Sequence, residues 1–368
     1  MITVKILFLC ELFHPHIGGC EIRFYELGKR LAKKGHTINV LTIRYDPNLP
    51  KMEEIDGMTV HRITDSFNYI TKSGWRSATG VAKYSLASLT KSLTKEIDFD
   101  IIFSNEWPIT HSLLLAPLYR NILVQDWAEV WTKKILHLQR LLAKLTKHHT
   151  TVSNFTKERM QKLLKIPTQN ITLIPNGIDP KQFYEKEKEW GTITYIGRFA
   201  PHKRIDLLIQ SFIKAQKQIP SLKLLLAGSG FLLSHFKNKY DGKHNIKFLG
   251  EISDEEKKEL LAKSWLFILT SEREGYGIAV LEALASGTPV LLADFPENAA
   301  KELISEGGGI VEKPNPQNLA NKIIELYKNT TMYENLKSKT RKIAQNYDWN
   351  KNAEKLEKTF KRILKETP

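Results

Sequence analysis

Short apolar runs rich in branched and aromatic residues alternate along this chain with longer stretches whose apolar positions recur every three or four residues. Such alternation predicts parallel strands joined by helices, so an α/β fold whose sheets are covered on both faces. In the first half the strand candidates cover 5–10, 37–42, 59–63, 100–104, 121–125, 150–153 and 171–175. Between the first two, Phe24, Leu27 and Leu31 mark one face of a helix that Gly35 should stop.

After a polar, charged passage over 182–190 the alternation begins again, with strand candidates at 192–196, 222–227, 246–249, 265–270 and 288–293. Two successive series predict two doubly wound, Rossmann-like domains, 1–183 and 184–349, followed by a closing amphipathic helix within 350–368. Ligands of such folds collect at the carboxyl ends of the strands, which makes a cleft between the domains the expected site.

Composition narrows the class. Of 368 residues 42% are hydrophobic and 26% charged, which excludes a disordered chain, a collagen-like repeat and a disulfide mini-protein. The two cysteines, Cys10 and Cys20, lack a metal-ligand spacing and are expected to be reduced thiols of a cytoplasmic protein. The run Ile6 to Cys10 is too short for a signal core or a membrane span, and no later stretch reaches about 18 uncharged apolar residues. The expectation is a soluble protein, at most peripheral on the cytoplasmic face of a membrane.

The net charge is +15, and 132–165 alone holds nine lysines and arginines against the single acid Glu158. Within it Ile135, Leu138, Leu142 and Leu145 recur at helical spacing. Three readings stand: a core-facing helix with a solvated basic face, a surface that attracts anionic lipid headgroups, or nucleic-acid binding. No recognised nucleic-acid motif accompanies the charge, so no nucleic-acid partner is expected.

Three motifs carry chemistry. Gly18-Gly19 follows the first strand and opens the first helix, where free N–H groups suit an anion, although a plain strand-to-helix turn fits as well. The spacing G-x-G-x-x-G is missing, against an ordinary dinucleotide site. Gly197-Arg198 with Lys203 follows the first strand of the second series; it is either a phosphate clamp or a solvated basic loop. The sharpest block runs Glu274-Gly275-Tyr276-Gly277 to Glu282, ahead of a helix ending at Ser286-Gly287. That helix would offer its first N–H groups to a diphosphate. At 100° per residue Glu282 falls about 80° around from Glu274, so both would share a face and accept hydrogen bonds from sugar hydroxyls.

Glu274 through Glu282 resembles the E-x7-E signature of the retaining glycosyltransferases of family four, which have the GT-B fold. Gly18-Gly19-Cys20-Glu21, Val152-Ser153, Asn176-Gly177-Ile178-Asp179, Gly197-Arg198 with Lys203, Gly228-Ser229-Gly230 and Ala283 through Val290 agree with it, in the family's order along essentially the whole chain. The resemblance implies transfer of a sugar from a nucleotide-diphosphate donor to an acceptor hydroxyl, with retention, no metal ion and no cofactor beyond the donor itself. It implies that Arg198 and Lys203 hold the donor diphosphate, Glu282 the ribose hydroxyls and Glu274 a hydroxyl of the transferred sugar. Gly197, Gly228, Gly275, Tyr276 and Gly277 would line the donor site, and Gly18 with Gly19 would close it from the first domain.

One departure stands out. Where many relatives carry a histidine at the end of a first-domain strand, this chain reads Gln125-Asp126. Gln125 cannot titrate and could only orient a hydroxyl; Asp126 could accept a proton from the acceptor or simply cap a turn. The competing function is a non-catalytic subunit of the same fold that binds a sugar or a partner enzyme. Loss of Arg198, Lys203, Glu274 or Glu282 would mark it, and all four are present.

Overall fold

The computed structural model describes residues 3–71, 76–94, 96–131 and 135–367, which divide into two compact units. The first holds residues 1–176 together with 349–368, and the second 177–348.

In the first unit eight strands form one sheet: β1 (Lys5–Leu9), β2 (Thr37–Arg44), β3 (Met52–Ile55), β4 (Met58–Asp65), β5 (Ile101–Ser104), β6 (Leu123–Trp127), β7 (His148–Thr151) and β8 (Ile171–Leu173). Their order is β3-β4-β2-β1-β5-β6-β7-β8, parallel except for the β3–β4 hairpin. The helices are α1 (Gly19–Lys33), α2 (Ala78–Leu93), α3 (Ile109–Tyr119), α4 (Leu136–Leu145) and α5 (Asn154–Arg159).

In the second unit β9 (Glu189–Ile196), β10 (Lys223–Ala227), β11 (Ile246–Gly250), β12 (Ser264–Leu269), β14 (Val290–Ala293) and β16 (Gly309–Glu312) form a wholly parallel sheet, ordered β11-β10-β9-β12-β14-β16. Two short strands beyond its edge of loops, β13 (Arg273–Glu274) and β15 (Glu297–Asn298), pair with each other. The helices are α6 (Ile205–Gln216), α7 (Leu233–Tyr240), α8 (Asp254–Lys263), α9 (Ile278–Ala285), α10 (Pro316–Lys328) and α11 (Thr330–Ala344).

The chain then returns to the first unit as α12 (Trp349–Glu366), which packs on α1. Its apolar stripe, Trp349, Ala353, Leu356, Phe360 and Ile363, is buried in one cluster with Phe8, Phe24 and Phe103. Ring centroids lie 5.2 Å apart for Phe8–Phe24, 4.8 Å for Phe24–Phe103 and 5.7 Å for Phe103–Phe360, spacings at which aromatic pairs attract beyond their area. The last helix is thus part of the first unit's core and not a separate segment, and the division falls at Asn176 instead of 183.

All twelve expected strands are present, their ends shifted by at most three residues. β6 runs two residues later than expected, so Gln125 sits inside the strand and Asp126 near its end. Four strands were not anticipated, β3, β13, β15 and β16. The basic stretch 132–165 is not one helix: it comprises α4, β7, α5 and a further turn, and Thr132, Lys133 and Lys134 lie outside the described residues. On α4, Gln139 and Leu142 face the core while Leu138 and Leu141 are exposed, so the stripe read through Leu138 is displaced by one position.

Candidate functional site

The loops that leave the carboxyl ends of β9, β10 and β12 converge in the second unit. After β9, Gly197 and the residues to Phe199 run against the loop after β10: the Gly197 N–H donates to Ala227 O at 3.1 Å and the Phe199 N–H to Ser229 O at 2.7 Å. The approach is backbone on backbone. Gly228 has φ +125°, and a Cβ there would lie 2.0 Å from Gly197 O; Gly230 has φ +139°, with Phe199 O 2.6 Å from such an atom. Only glycine permits both the dihedral and the distance. The buried Tyr195 hydroxyl donates to Arg198 O at 3.0 Å and pins the turn from below. Arg198 is exposed at its crest.

One helical turn, Pro201–Lys203, follows, and Arg204 at φ +50° redirects the chain into α6. Thr270, just past β12, donates to Lys203 O at 3.0 Å and to Arg204 O at 2.9 Å, while the Glu272 N–H donates to His202 O at 2.8 Å. These bonds fasten the β12 loop to the β9 loop. They bring Lys203 Nζ to 2.6 Å from Glu274 Oε2, a pair that is mostly shielded from solvent. The Ser271 hydroxyl donates to the same oxygen at 3.4 Å.

His202 sits beside this pair. Burial first, and then the cations Lys203 and Arg273, hold its imidazole down at about 4, so it is neutral near pH 7. Glu274 and Arg198 both lie within electrostatic reach of that ring, which places both charges on one side of the unit.

Glu274 ends β13 and is not on the helix. Gly277, in the left-handed region at φ +95°, separates it from α9, so the expected 80° relation between Glu274 and Glu282 does not hold. Ala300 Cβ would be 2.6 Å from a Cβ at Gly277, which closes that position to any larger residue. No side chain caps the start of α9; the Val280 and Leu281 N–H groups donate to Gly277 O at 3.0 and 3.2 Å, and the N–H groups ahead of them have no acceptor within the helix. Tyr276 is buried, its ring 6.3 Å from that of Tyr347.

Glu282, on α9, is largely buried, with Lys257 Nζ of α8 at 2.8 Å from its Oε1. Burial holds its carboxyl above the usual carboxylate range, and Lys257 offsets only part of that rise. Sequence reasoning missed Lys257, since nothing in its local pattern marks it. It also missed Lys188, whose buried Nζ donates to Ala262 O, Ser286 O and Thr288 Oγ1 at 2.8, 2.9 and 2.8 Å and so ties down the carboxyl end of α9.

In the first unit Gly18 is the residue before α1, with extended backbone, and Gly19 is the helix's first. The Glu21 side chain folds back over this terminus, with His16 Nδ1 at 3.0 Å from its Oε1. Asp126 is not placed as a free base. Both its oxygens are taken by Arg23, Nε to Oδ2 at 2.8 Å and Nη2 to Oδ1 at 2.9 Å, and the Thr150 hydroxyl donates to Oδ1 at 2.5 Å. Arg23 also donates to Asn176 Oδ1 at 3.1 Å. Gln125 donates from Nε2 to Ser104 O at 3.1 Å and Asp126 O at 3.2 Å, and its buried Oε1 has no hydrogen-bond partner.

Among the described residues no group of three or more His, Cys, Asp or Glu is arranged to hold a metal ion, and no helix is long and apolar enough to cross a membrane.

Residues 178–343 match the model of the glycosyl transferases group 1, and 17–182 match that of glycosyltransferase family 4, so the two together span nearly the whole chain. The chain belongs to the group 1 glycosyltransferases. This glycosyltransferase is 24% identical to an uncharacterized glycosyltransferase of Methanocaldococcus jannaschii, over 97% of this chain and 98% of that protein. It is 25% identical to the N-acetyl-alpha-D-glucosaminyl L-malate synthase of Bacillus anthracis, covering 89% of each, and 23% identical to the GDP-mannose:cellobiosyl-diphosphopolyprenol alpha-mannosyltransferase of Komagataeibacter xylinus, covering 98% and 94%. Among solved structures it resembles sucrose-phosphate synthase of Thermosynechococcus elongatus (TM-score 0.81, 18% identity, 99% of this chain and 100% of that one). It also resembles Anabaena HepE in complex with UDP and glucose (TM-score 0.75, 18% identity, 97% and 99%). The fold of this glycosyltransferase is therefore GT-B, and the protein is an enzyme of the hexosyltransferase type.

Proposed function

We propose that this glycosyltransferase moves a hexosyl group with retention from a nucleoside-diphosphate sugar to a hydroxyl of a lipid-linked acceptor, without a metal ion. The observation that carries the reading is the Lys203–Glu274 pair, held between two strand-end loops beside the uncapped start of α9. A donor diphosphate there would meet Lys203, Arg198 and the N–H groups of Gly275, Tyr276 and Gly277. Fixed positive charge of this kind stabilises the phosphate as it departs. Glu274, relieved of part of its bond to Lys203, would accept a hydrogen bond from a hydroxyl of the sugar. Glu282 would take the ribose with the oxygen that Lys257 leaves open. Gly197 and Gly228 would let the nucleotide approach the backbone.

In the reaction the bond from the anomeric carbon to the diphosphate oxygen breaks, and a bond from that carbon to the acceptor oxygen forms on the same face. The proton of the acceptor hydroxyl passes to the departing phosphate oxygen. Asp126 holds Arg23 in this scheme and takes no proton; Gln125 Oε1 is left to orient a hydroxyl. The lipid-linked acceptor is supported by a relative whose name gives a diphosphopolyprenol as its acceptor. The site of action would be the cytoplasmic face of a membrane.

A panel of nucleoside-diphosphate sugars, offered with and without lipid extract and read by mass spectrometry, tests the reading. A glycosylated lipid with α linkage from an α-linked donor is expected. An inverted product, or transfer that collapses when a chelator is added, would overturn retention or metal independence respectively.

A further inference from the structure

Outside the donor site, exposed apolar residues gather on the helix layer α2, α3 and α4, where α3 packs against both of the others. Each of the three helices presents two leucines to solvent: Leu86 and Leu93 on α2, Leu114 and Leu118 on α3, Leu138 and Leu141 on α4, between 38% and 59% exposed. The spacings of seven, four and three residues keep each pair on one face of its helix. Other positions around each helix reach the core: Tyr84 and Ser88 on α2, Leu115 and Ala116 on α3, and Leu142 on α4. Soluble surfaces scatter such residues singly; six on adjacent helices make a patch.

None of the three helices contains an aspartate or glutamate. Lys83, Arg140 and Lys144 are exposed on them, and Arg120 is exposed just past the end of α3. Glu96, the first acid after α2, is already paired with Lys91. A second copy of this chain would set positive charge against positive charge, so self-association is disfavoured. An apolar face rimmed by cations and free of acids fits a bilayer surface whose headgroups are anionic, since insertion and charge attraction each need the other for stable binding.

We infer that the α2–α3–α4 face of the first unit docks on an anionic bilayer, with the six leucines at the headgroup boundary and Lys83, Arg120, Arg140 and Lys144 among the phosphates. The inference gives the proposed lipid-linked acceptor its surface and rests on that reading only for its purpose; binding itself is independent of it.

The experiment is co-sedimentation of the full chain with vesicles of phosphatidylcholine alone and with one-third phosphatidylglycerol, run beside donor hydrolysis in solution and mass by light scattering. The wild type should sediment with the anionic vesicles and lose at least tenfold in partition when salt is raised. The variant L114Q/L118Q/L138Q/L141Q and the variant R140E/K144E should each lose at least tenfold at low salt, with unchanged donor hydrolysis and thermal midpoint. A wild type that stays in the supernatant overturns the inference, as does a leucine variant that binds like the wild type. A wild-type dimer split by the leucine changes would also overturn it, making the face a contact between copies. Absence of donor hydrolysis with intact vesicle binding would count against the proposed function alone.

Discussion

The guanidinium of Arg23 and the carboxylate of Asp126 form a two-point ion pair, at 2.8 and 2.9 Å, across residues that are both almost completely buried. It joins α1 to the end of β6, and through Asn176 to the point where the chain leaves the first unit. Removing one partner of such a pair strands the other charge. Asp126→Ala should therefore lower stability by about 3–5 kcal/mol, seen as a lower urea midpoint. Arg23→Met/Asp126→Leu should recover most of that loss. If Asp126→Ala kept wild-type stability and lost only transfer, a proton-accepting role would replace the structural one.

Lys203 and Glu274 give a second test. Lys203→Ala and Glu274→Gln should each lower transfer by about 100-fold or more, the scale of removing one preorganised charge partner from a leaving-group site. They should differ in kind: Lys203→Ala weakens nucleoside diphosphate binding, measured by calorimetry, whereas Glu274→Gln leaves that binding near wild type and affects only sugar-bearing ligands. Equal affinity of Lys203→Ala and wild type for the diphosphate would sink the assignment.

Two glycines, one in each unit, should respond differently to one methyl group. Gly228→Ala places Cβ against the backbone oxygen of Gly197 at a positive φ, and the dihedral alone costs about 1–3 kcal/mol. At Gly18 the added Cβ meets only the end of the Glu21 side chain, which can rotate away. Thermal melts should show a clear drop for Gly228→Ala and little change for Gly18→Ala.

Buried histidines set the response to acid. Burial holds His111 at about 3 and, with neighbouring His148, holds His149 at about 3 as well. In the unfolded chain both titrate near 6.5, so the unfolded state binds more protons between these values. Stability is full above about pH 6.5 and falls as pH drops, by about 1.4 kcal/mol per pH unit for each group. His149 Nδ1 accepts from Trp127 Nε1 at 3.2 Å, a bond that a glutamine oxygen can take over. His149→Gln should flatten the stability profile between pH 6 and 4; an unchanged slope would contradict this.

Much of the fold was legible because strands buried on both faces read as continuous apolar runs, as in Lys5–Leu9 and Ser264–Leu269. The edge strands were harder. Met52–Ile55 carries two glutamates and is half exposed, yet Asp56-Gly57 behind it, both at positive φ, is a hairpin signal that could have revealed it. Gly309–Glu312 hides behind three glycines. Arg198, Lys203 and Glu274 stand out by their motifs, and the structure brings Lys203 against Glu274, whereas Arg23, Lys188 and Lys257 act across 103, 98 and 25 positions, separations that no local pattern encodes. The wheel argument for Glu274 and Glu282 failed because a left-handed Gly277 resets the backbone before the helix starts.

The first unit is interrupted in sequence, and that fixes an order of events during synthesis. Residues 177–348 are contiguous, and their two ends meet where Ile178 bridges Asp348. That body can complete itself as soon as it clears the ribosome. The earlier one must wait, its aromatic cluster still open to water, until Trp349 and Phe360 have been translated. A nascent chain halted just before Trp349 would expose Phe8, Phe24 and Phe103 to chaperones, although it was made first.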